Sequence, residues 1–141
     1  MLNAYLIGFV LALAVSVYAM LIGLDRDRAF YPTVLIVVAA YYVLFAVMGG
    51  EVRTLIEESL IAGCFLLVAT MGFKRSSWLI VVALAAHGLL DLVHGSVVSN
   101  GGVPPWWPAF CMTYDLTAAG FLAWTLHRSP SLSRPRDRAG L

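Results

Sequence analysis

The sequence predicts an all-α integral membrane bundle of five transmembrane helices, with the N-terminus outside and the C-terminus in the cytoplasm. Of the 141 residues, 61% are hydrophobic and only 12% are charged, and the mean hydropathy is +0.87. Soluble domains carry about 25% charged residues, so this composition indicates a bilayer environment. Five continuous apolar runs are each long enough to cross a ~30 Å hydrocarbon core as a helix. Because membrane β-strands alternate apolar and polar residues, the runs exclude a β-barrel.

Each run is predicted as one spanning helix. In chain order they are Asn3–Gly23, Pro32–Gly49, Thr54–Gly72, Ser77–Ser96 and Pro108–His127. The first run has neither a basic leading region nor a small-residue cleavage motif, so we interpret it as a retained helix and not as a secretory signal. The fifth run follows two prolines, which set its start.

The distribution of basic residues predicts the orientation, because Lys and Arg in short loops stay on the cytoplasmic side of a membrane. Eight of the nine follow the first, third and fifth runs: Arg26, Arg28, Lys74, Arg75, Arg128, Arg134, Arg136 and Arg138. Only Arg53 falls on the opposite side. We therefore expect a transmembrane domain over 1–128 and a disordered basic cytoplasmic tail over 129–141, in a multi-pass protein of the bacterial inner membrane.

The fourth run carries three ionisable residues where a spanning helix is ordinarily apolar, namely His87, Asp91 and His94. At 100° per residue they lie within an arc of about 60° on one helix face. Ionisable residues inside hydrocarbon are energetically expensive and usually mark a functional site that faces the bundle interior. This face is therefore the candidate functional site.

Further carboxyl groups are predicted at the same depth. Counting ~1.5 Å per residue from the outer helix ends places Glu57 and Glu58 of the third helix and Asp115 of the fifth helix in the layer of the histidines. One polar cavity in the outer half of the bilayer could hold groups from three helices. Because Glu57 and Glu58 diverge by ~100° around their helix, we expect only Glu58 to enter the site and Glu57 to reach the surface.

These residue types are typical of two kinds of site. Imidazoles and carboxylates bind zinc or iron, and spacings of three and four residues let one helix offer two ligands. The predicted ligands of a divalent metal ion are His87, Asp91, His94, Asp115 and Glu58. Without a metal the same groups form an acid–base set, in which burial favours a protonated carboxyl group and an imidazole relays the proton.

Aromatic residues beside this layer predict a substrate pocket. A cation formed on a lipophilic substrate would be stabilised by the faces of aromatic rings. The predicted lining consists of Trp106, Trp107, Phe110 and Tyr41, and Tyr114 is an additional candidate catalytic residue. Trp at a helix entry is also the usual interfacial anchor, which is the alternative for the two tryptophans.

The segment 99–108 combines flexible glycines with stiff prolines, which is consistent either with a lid over the site or with a plain connector. The two cysteines, Cys64 and Cys111, differ in predicted depth by ~10 Å, which argues against a disulfide. We expect both to be buried small hydrophobic residues.

The block from His87 to Ala119 reads His-Gly-x-x-Asp-x-x-His, Gly-Val-Pro-x-Trp-Trp-Pro and Phe-Cys-x-x-Tyr-Asp. In these motifs the chain resembles a small, functionally uncharacterised family of bacterial polytopic integral membrane proteins. The resemblance covers about a quarter of the chain and implies no particular chemistry. A fainter likeness exists to membrane hydrolases of the alkaline ceramidase and adiponectin receptor type, which have seven helices and a His-x-x-x-His element, and to sterol isomerases of the emopamil-binding type.

Two classes of function follow from these observations. The first is a membrane-embedded enzyme, of hydrolase, isomerase or cyclase type, acting on a lipophilic small molecule that enters from the lipid. The second is a cation- or proton-coupled transporter or channel subunit that uses the same residues. Membrane lipids are expected partners and a homodimer would supply the symmetry that five helices lack, whereas scattered basic residues exclude nucleic-acid recognition.

Overall fold

A computed structural model describes residues 2–129, which form five α-helices and one short 3₁₀-helix. The α-helices are α1 (Leu2–Ile22), α2 (Phe30–Gly49), α3 (Val52–Arg75), α4 (Ser77–Val97) and α5 (Trp107–Arg128). The 3₁₀-helix, Leu24–Asp27, connects α1 to α2. Apart from Ser129, the predicted basic tail lies outside the described residues.

The helices α1 to α4 are long and apolar enough to cross a membrane. The 22 residues of α5 give it a similar length, but α5 is not among the four helices that are apolar enough to cross. The predicted all-helical membrane protein is confirmed to this extent, and a crossing by α5 stays a prediction.

The observed helix ends differ from the predicted ones by a few residues. Helix α2 begins two residues before Pro32, and α5 begins at Trp107 with Pro108 in its second position. Proline is compatible with the first turn of a helix, where its missing N–H would have no intrahelical acceptor. Helix α2 ends at Gly49 and is followed by Gly50, whose φ of 74° lies in the left-handed region that favours glycine.

The helices pack in a chain of neighbours, in which α5 lies between α1 and α4, and α3 lies between α4 and α2. Helix α1 is buried along a stripe of small residues at spacings of three and four: Ala4, Gly8, Ala12, Ser16 and Ala19. A Cβ atom on Gly8 would overlap the carbonyl oxygen of Phe110 and the hydroxyl of Thr113. Small residues therefore permit the close approach of α1 to α5, as is common between membrane helices.

Two hydrogen bonds define the two ends of the bundle. Arg28 Nε donates to Ser77 Oγ at 3.1 Å, which joins the α1–α2 and α3–α4 connections at the end rich in basic residues. Thr54 Oγ1 donates to the carbonyl oxygen of Ser99 at 3.2 Å, which joins the start of α3 to the α4–α5 loop at the opposite end. We call these the basic end and the loop end.

The core changes character between the two ends. Toward the basic end it consists mainly of aliphatic side chains, among them Leu35, Ile80, Leu84, Leu122 and Leu126. Toward the loop end the buried residues include the charged or titratable groups of α3, α4 and α5. The fold therefore concentrates its buried polar groups in one half of the bundle.

Candidate functional site

Four titratable side chains meet in the loop-end half of the core. His87 and Asp91 lie one turn apart on α4, and Cys111 and Asp115 lie one turn apart on α5, so each pair projects from one helix face. All four residues are buried, and their potential ligand atoms lie within 4.8 Å of one another. We call these four residues the α4–α5 cluster.

The cluster is held together across the α4–α5 interface. His87 Nδ1 and Asp115 Oδ2 share a hydrogen bond of 2.6 Å, and Cys111 Sγ donates to the same oxygen at 3.7 Å. His87 Nδ1 also lies 3.8 Å from Asp91 Oδ2. Gly88 permits this approach, since a Cβ atom there would lie 3.0 Å from a carbonyl oxygen of α5. One imidazole nitrogen therefore faces two carboxyl groups.

Tyr42 of α2 connects the cluster to the rest of the site. Its hydroxyl donates to Asp91 Oδ1 at 2.5 Å, and both groups are buried. Its ring lies against the ring of His94, with centroids 4.1 Å apart. Tyr42 is thus the residue through which α2 contributes to the polar core.

A second polar group lies beside the cluster, between α3, α4 and the loop. His94 Nε2 and Glu58 Oε1 share a hydrogen bond of 2.9 Å, and both side chains are buried. Asn100 Nδ2 donates to the same Glu58 oxygen at 2.8 Å and to the carbonyl oxygen of Tyr42 at 3.1 Å. We call His94, Glu58 and Asn100 the latch, because they fasten the loop to the helices.

The loop is held at several points. Asn100 Oδ1 accepts a hydrogen bond from the backbone N–H of Gly102 at 3.1 Å. Gly102 in turn lies so close to α2 that an added Cβ would overlap the carbonyl oxygen of Phe45. The hydroxyl of Thr54 binds the loop at Ser99, as described above. The segment expected to be a lid or a connector is therefore docked in this structure.

Close to the site, three buried polar atoms of the described residues lack a hydrogen-bond partner. They are Asp91 Oδ2, Asp115 Oδ1 and Trp107 Nε1. A buried polar atom without a partner costs about 1–3 kcal/mol. Two of the three belong to the carboxyl groups of the α4–α5 cluster. The cluster therefore retains binding capacity that its own side chains do not use.

Asp91 lies in the wall of an open pocket of about 150 Å³ between α1, α4 and the start of α5. The other lining residues are Tyr5, Leu92, Pro105, Pro108 and Ala109. Although Asp91 is only 4% exposed, this pocket gives it a route to the surface of the bundle. It is the member of the α4–α5 cluster that lines a described pocket.

A larger groove of about 360 Å³ runs between α1, α2 and α5. Three of the residues predicted for a substrate pocket line this groove, Tyr41, Trp107 and Phe110, and Tyr114 joins them. The rings form a continuous series, with centroid distances of 4.8 Å between Tyr41 and Trp107 and 5.3 Å between Trp107 and Phe110. Trp106 is half exposed and packs on Trp107 without lining the groove.

The structure divides the predicted ligand set into two groups. His87, Asp91 and Asp115 meet in the α4–α5 cluster, whereas His94 and Glu58 belong to the latch. Tyr114 faces the groove and is not part of either group. Of the two neighbouring glutamates, Glu58 is 1% exposed and Glu57 pairs with Arg53 at the surface.

The expectation that both cysteines are buried is wrong for Cys64, which is exposed on α3, while Cys111 is buried and both are free. Three participants in the site were not predicted from the sequence: Cys111 in the cluster, Tyr42 as donor to Asp91, and Asn100 in the latch. Each is neutral and common in membrane helices or loops, so its type alone gives no signal. Asn100 and Cys111 do lie in the block of motifs noted above.

Comparison of the chain with protein-family models, with curated proteins and with solved structures gives no match.

Proposed function

We propose that the protein is a membrane-embedded enzyme that acts on a lipophilic small molecule through the α4–α5 cluster, as a hydrolase, an isomerase or a cyclase. The observation that carries the proposal is the position of Asp91. Its side chain lines a pocket, its Oδ2 atom has no hydrogen-bond partner, and the imidazole of His87 lies 3.8 Å behind that atom.

This arrangement suits proton transfer to or from a bound molecule. A general acid or base must lie within hydrogen-bond reach of the reacting atom, and Asp91 is the cluster member that borders the pocket. A protonated His87 would stabilise the carboxylate of Asp91 across the 3.8 Å separation, and Asp115 orients its ring through the 2.6 Å hydrogen bond to Nδ1. Tyr42 fixes the other carboxyl oxygen of Asp91. In the metal-dependent form of the proposal, the same groups hold zinc or iron.

The lipophilic substrate is supported by the surroundings of the cluster. Apart from Asp91 itself, no residue that lines its pocket carries a carboxyl, amino or imidazole group. The groove on the other side of α5 is lined by aromatic and aliphatic side chains and by Thr33. Apolar walls with a few placed polar groups are typical of sites for small molecules. Membrane lipids would supply such a molecule directly from the bilayer.

We also propose five membrane crossings, with the N-terminus and the loop end outside and the basic end in the cytoplasm of a bacterial inner membrane. The support is the collection of Arg26, Arg28, Lys74 and Arg75 at one end of the bundle. Asp115 makes α5 less apolar than its neighbours, but it is fully buried and hydrogen-bonded, so it would not face lipid.

A transporter or channel is supported less well. A conducting path would continue from the cluster to the basic end, where the core contains Leu35, Leu84 and Leu122. These packed aliphatic side chains offer no ligands to a cation or proton. The transporter or channel alternative would therefore require a path formed between two copies of the chain.

The proposal is tested by comparing lipophilic molecules that co-purify with the wild type, with Asp91→Asn and with Glu57→Gln. Asp91→Asn keeps the side-chain volume but removes the acid–base group, so we expect it to retain a lipophilic compound that the wild type converts. Glu57→Gln changes a surface carboxyl group and should behave as the wild type. Extraction and mass spectrometry should show that compound in the Asp91→Asn sample and its product after wild-type protein is added. Identical compounds in all three samples, with no conversion, would overturn the proposal.

A further inference from the structure

We propose that the α4–α5 cluster is a zinc site in which the thiolate of Cys111 is one of four protein ligands. The inference names the cofactor of the proposed site. It rests on the proposed function only for what the ion would do in catalysis, since binding can be measured by itself.

The first support is the identity and position of the ligand atoms. His87 Nδ1, Asp91 Oδ2, Cys111 Sγ and Asp115 Oδ2 form a compact set. A tetrahedral zinc centre with bonds of about 2.0–2.3 Å separates its ligand atoms by roughly 3.3–3.8 Å. Two separations fit this range, at 3.7 Å between Cys111 Sγ and Asp115 Oδ2 and 3.8 Å between His87 Nδ1 and Asp91 Oδ2. The 2.6 Å contact between His87 and Asp115 is a hydrogen bond that the ion would replace.

The second support is the unused binding capacity of the same carboxyl groups. Asp91 Oδ2 lies 3.8 Å from His87 Nδ1, and no hydrogen bond satisfies this oxygen. Asp115 Oδ1 is unsatisfied as well, although Asp115 is fully buried. A cation between the side chains would provide the missing interaction.

The third support is charge. The four residues of the cluster supply two carboxyl groups, a thiol and one imidazole, and none of them is a Lys or an Arg. Isolated charges are strongly disfavoured in a desolvated core, so these groups need protons or a cation to remain there. A divalent cation would compensate two of the three negative charges on the two carboxylates and the Cys111 thiolate, and the Tyr42 hydroxyl would stabilise Asp91 from the side away from the ion.

The nitrogen, oxygen and sulfur ligands of the cluster indicate which metal ion it would bind. Magnesium and calcium prefer sites made only of oxygen ligands, and a thiolate is foreign to both. Non-haem iron sites of the common facial type use two imidazoles and a carboxylate, whereas the cluster supplies one imidazole, because His94 is engaged by Glu58 in the latch. A four-coordinate set of nitrogen, oxygen and sulfur atoms is typical of zinc.

The test uses Co²⁺ as a spectroscopic substitute for zinc in the purified full chain. We expect the wild type to bind one equivalent of Co²⁺ and to show a near-ultraviolet charge-transfer band from the thiolate. Cys111→Ser should lose this band and bind at least ~10-fold more weakly, since even outer partners of metal ligands contribute that much. The matched control is Cys64→Ser, which removes the exposed cysteine and should keep both the band and the affinity.

A second pair of variants distinguishes metal binding by the α4–α5 cluster from metal binding by the latch. His87→Ala should lose stoichiometric Co²⁺ binding, and His94→Ala should retain the band. A thermal unfolding curve for each variant shows whether the protein remains folded. If His87→Ala does not remain folded, Cys111→Ser gives the decisive result. Absence of stoichiometric Co²⁺ binding in the wild type, or a band that persists in Cys111→Ser, would overturn the inference.

The two proposals can fail separately. Conversion of the lipophilic compound by a wild type that binds no stoichiometric Co²⁺ would reject the zinc site and leave the acid–base enzyme. Stoichiometric thiolate-bound Co²⁺ without any conversion would support the zinc site and reject the enzyme.

Discussion

Truncation of Glu58 to alanine should destabilise the protein far more than the same change at the neighbouring Glu57. Glu58 Oε1 accepts hydrogen bonds from His94 at 2.9 Å and from Asn100 at 2.8 Å. Removal of the carboxyl group leaves two donors without their partner, at about 1–3 kcal/mol for each buried group. Hydrogen bonds between membrane helices average nearer ~0.6 kcal/mol, because the unfolded chain finds other partners in the membrane. Between these limits we expect a loss of about 2–4 kcal/mol.

The loss can be measured as a shift in the thermal midpoint of protein reconstituted in lipid nanodiscs. For a chain of this size 1 kcal/mol corresponds to about 2–4 °C, so Glu58→Ala should lower the midpoint by roughly 5–15 °C. Glu57→Ala removes only an exposed pair with Arg53 and should stay within about 2 °C of the wild type. Equal midpoints for the two variants would refute the assignment of Glu58 to a buried latch.

Three further substitutions test the contacts around the site by the free energy of unfolding, each with an internal comparison. Tyr42→Phe deprives Asp91 of its donor and should cost about 1–3 kcal/mol, whereas Tyr41→Phe should change stability by less than ~0.5 kcal/mol; equal effects would contradict the hydrogen bond. Gly102→Ala drives a methyl group into a carbonyl oxygen of α2 and should cost about 1–3 kcal/mol, while Gly101→Ala meets open space and should be neutral. Gly8→Ala should cost a similar amount by separating α1 from α5, and an unchanged unfolding curve would exclude their close packing.

The helices were predictable because each apolar run is long enough to span a bilayer and is bounded by charged or glycine-rich connections. Their ends were less predictable, since Pro32 and Pro108 are tolerated inside the first turn and therefore do not mark the first helical residue. The weaker apolarity of α5 follows from residues such as Asp115, whose burial depends on packing that the sequence does not specify.

The depth of the site residues along the helices could be predicted from the sequence, but which of these residues contact one another could not. The rise per residue brings His87 and Asp115 to one layer, and the structure joins them. The rotation of each helix about its axis, which depends on packing, decides that His94 pairs with Glu58 and stands apart from the cluster. Cys111 enters the cluster because it lies one turn from Asp115 on the same face of α5.

A double-mutant cycle between His87 and Asp115 tests most directly whether titratable groups of different helices meet in one buried chamber. The four proteins are the wild type, His87→Ala, Asp115→Ala and the double variant, unfolded in the same membrane mimetic. The 2.6 Å contact predicts a coupling free energy of about 1–3 kcal/mol. Additive effects, with a coupling below ~0.5 kcal/mol, would show that the two side chains do not interact and would contradict the site proposed for this protein.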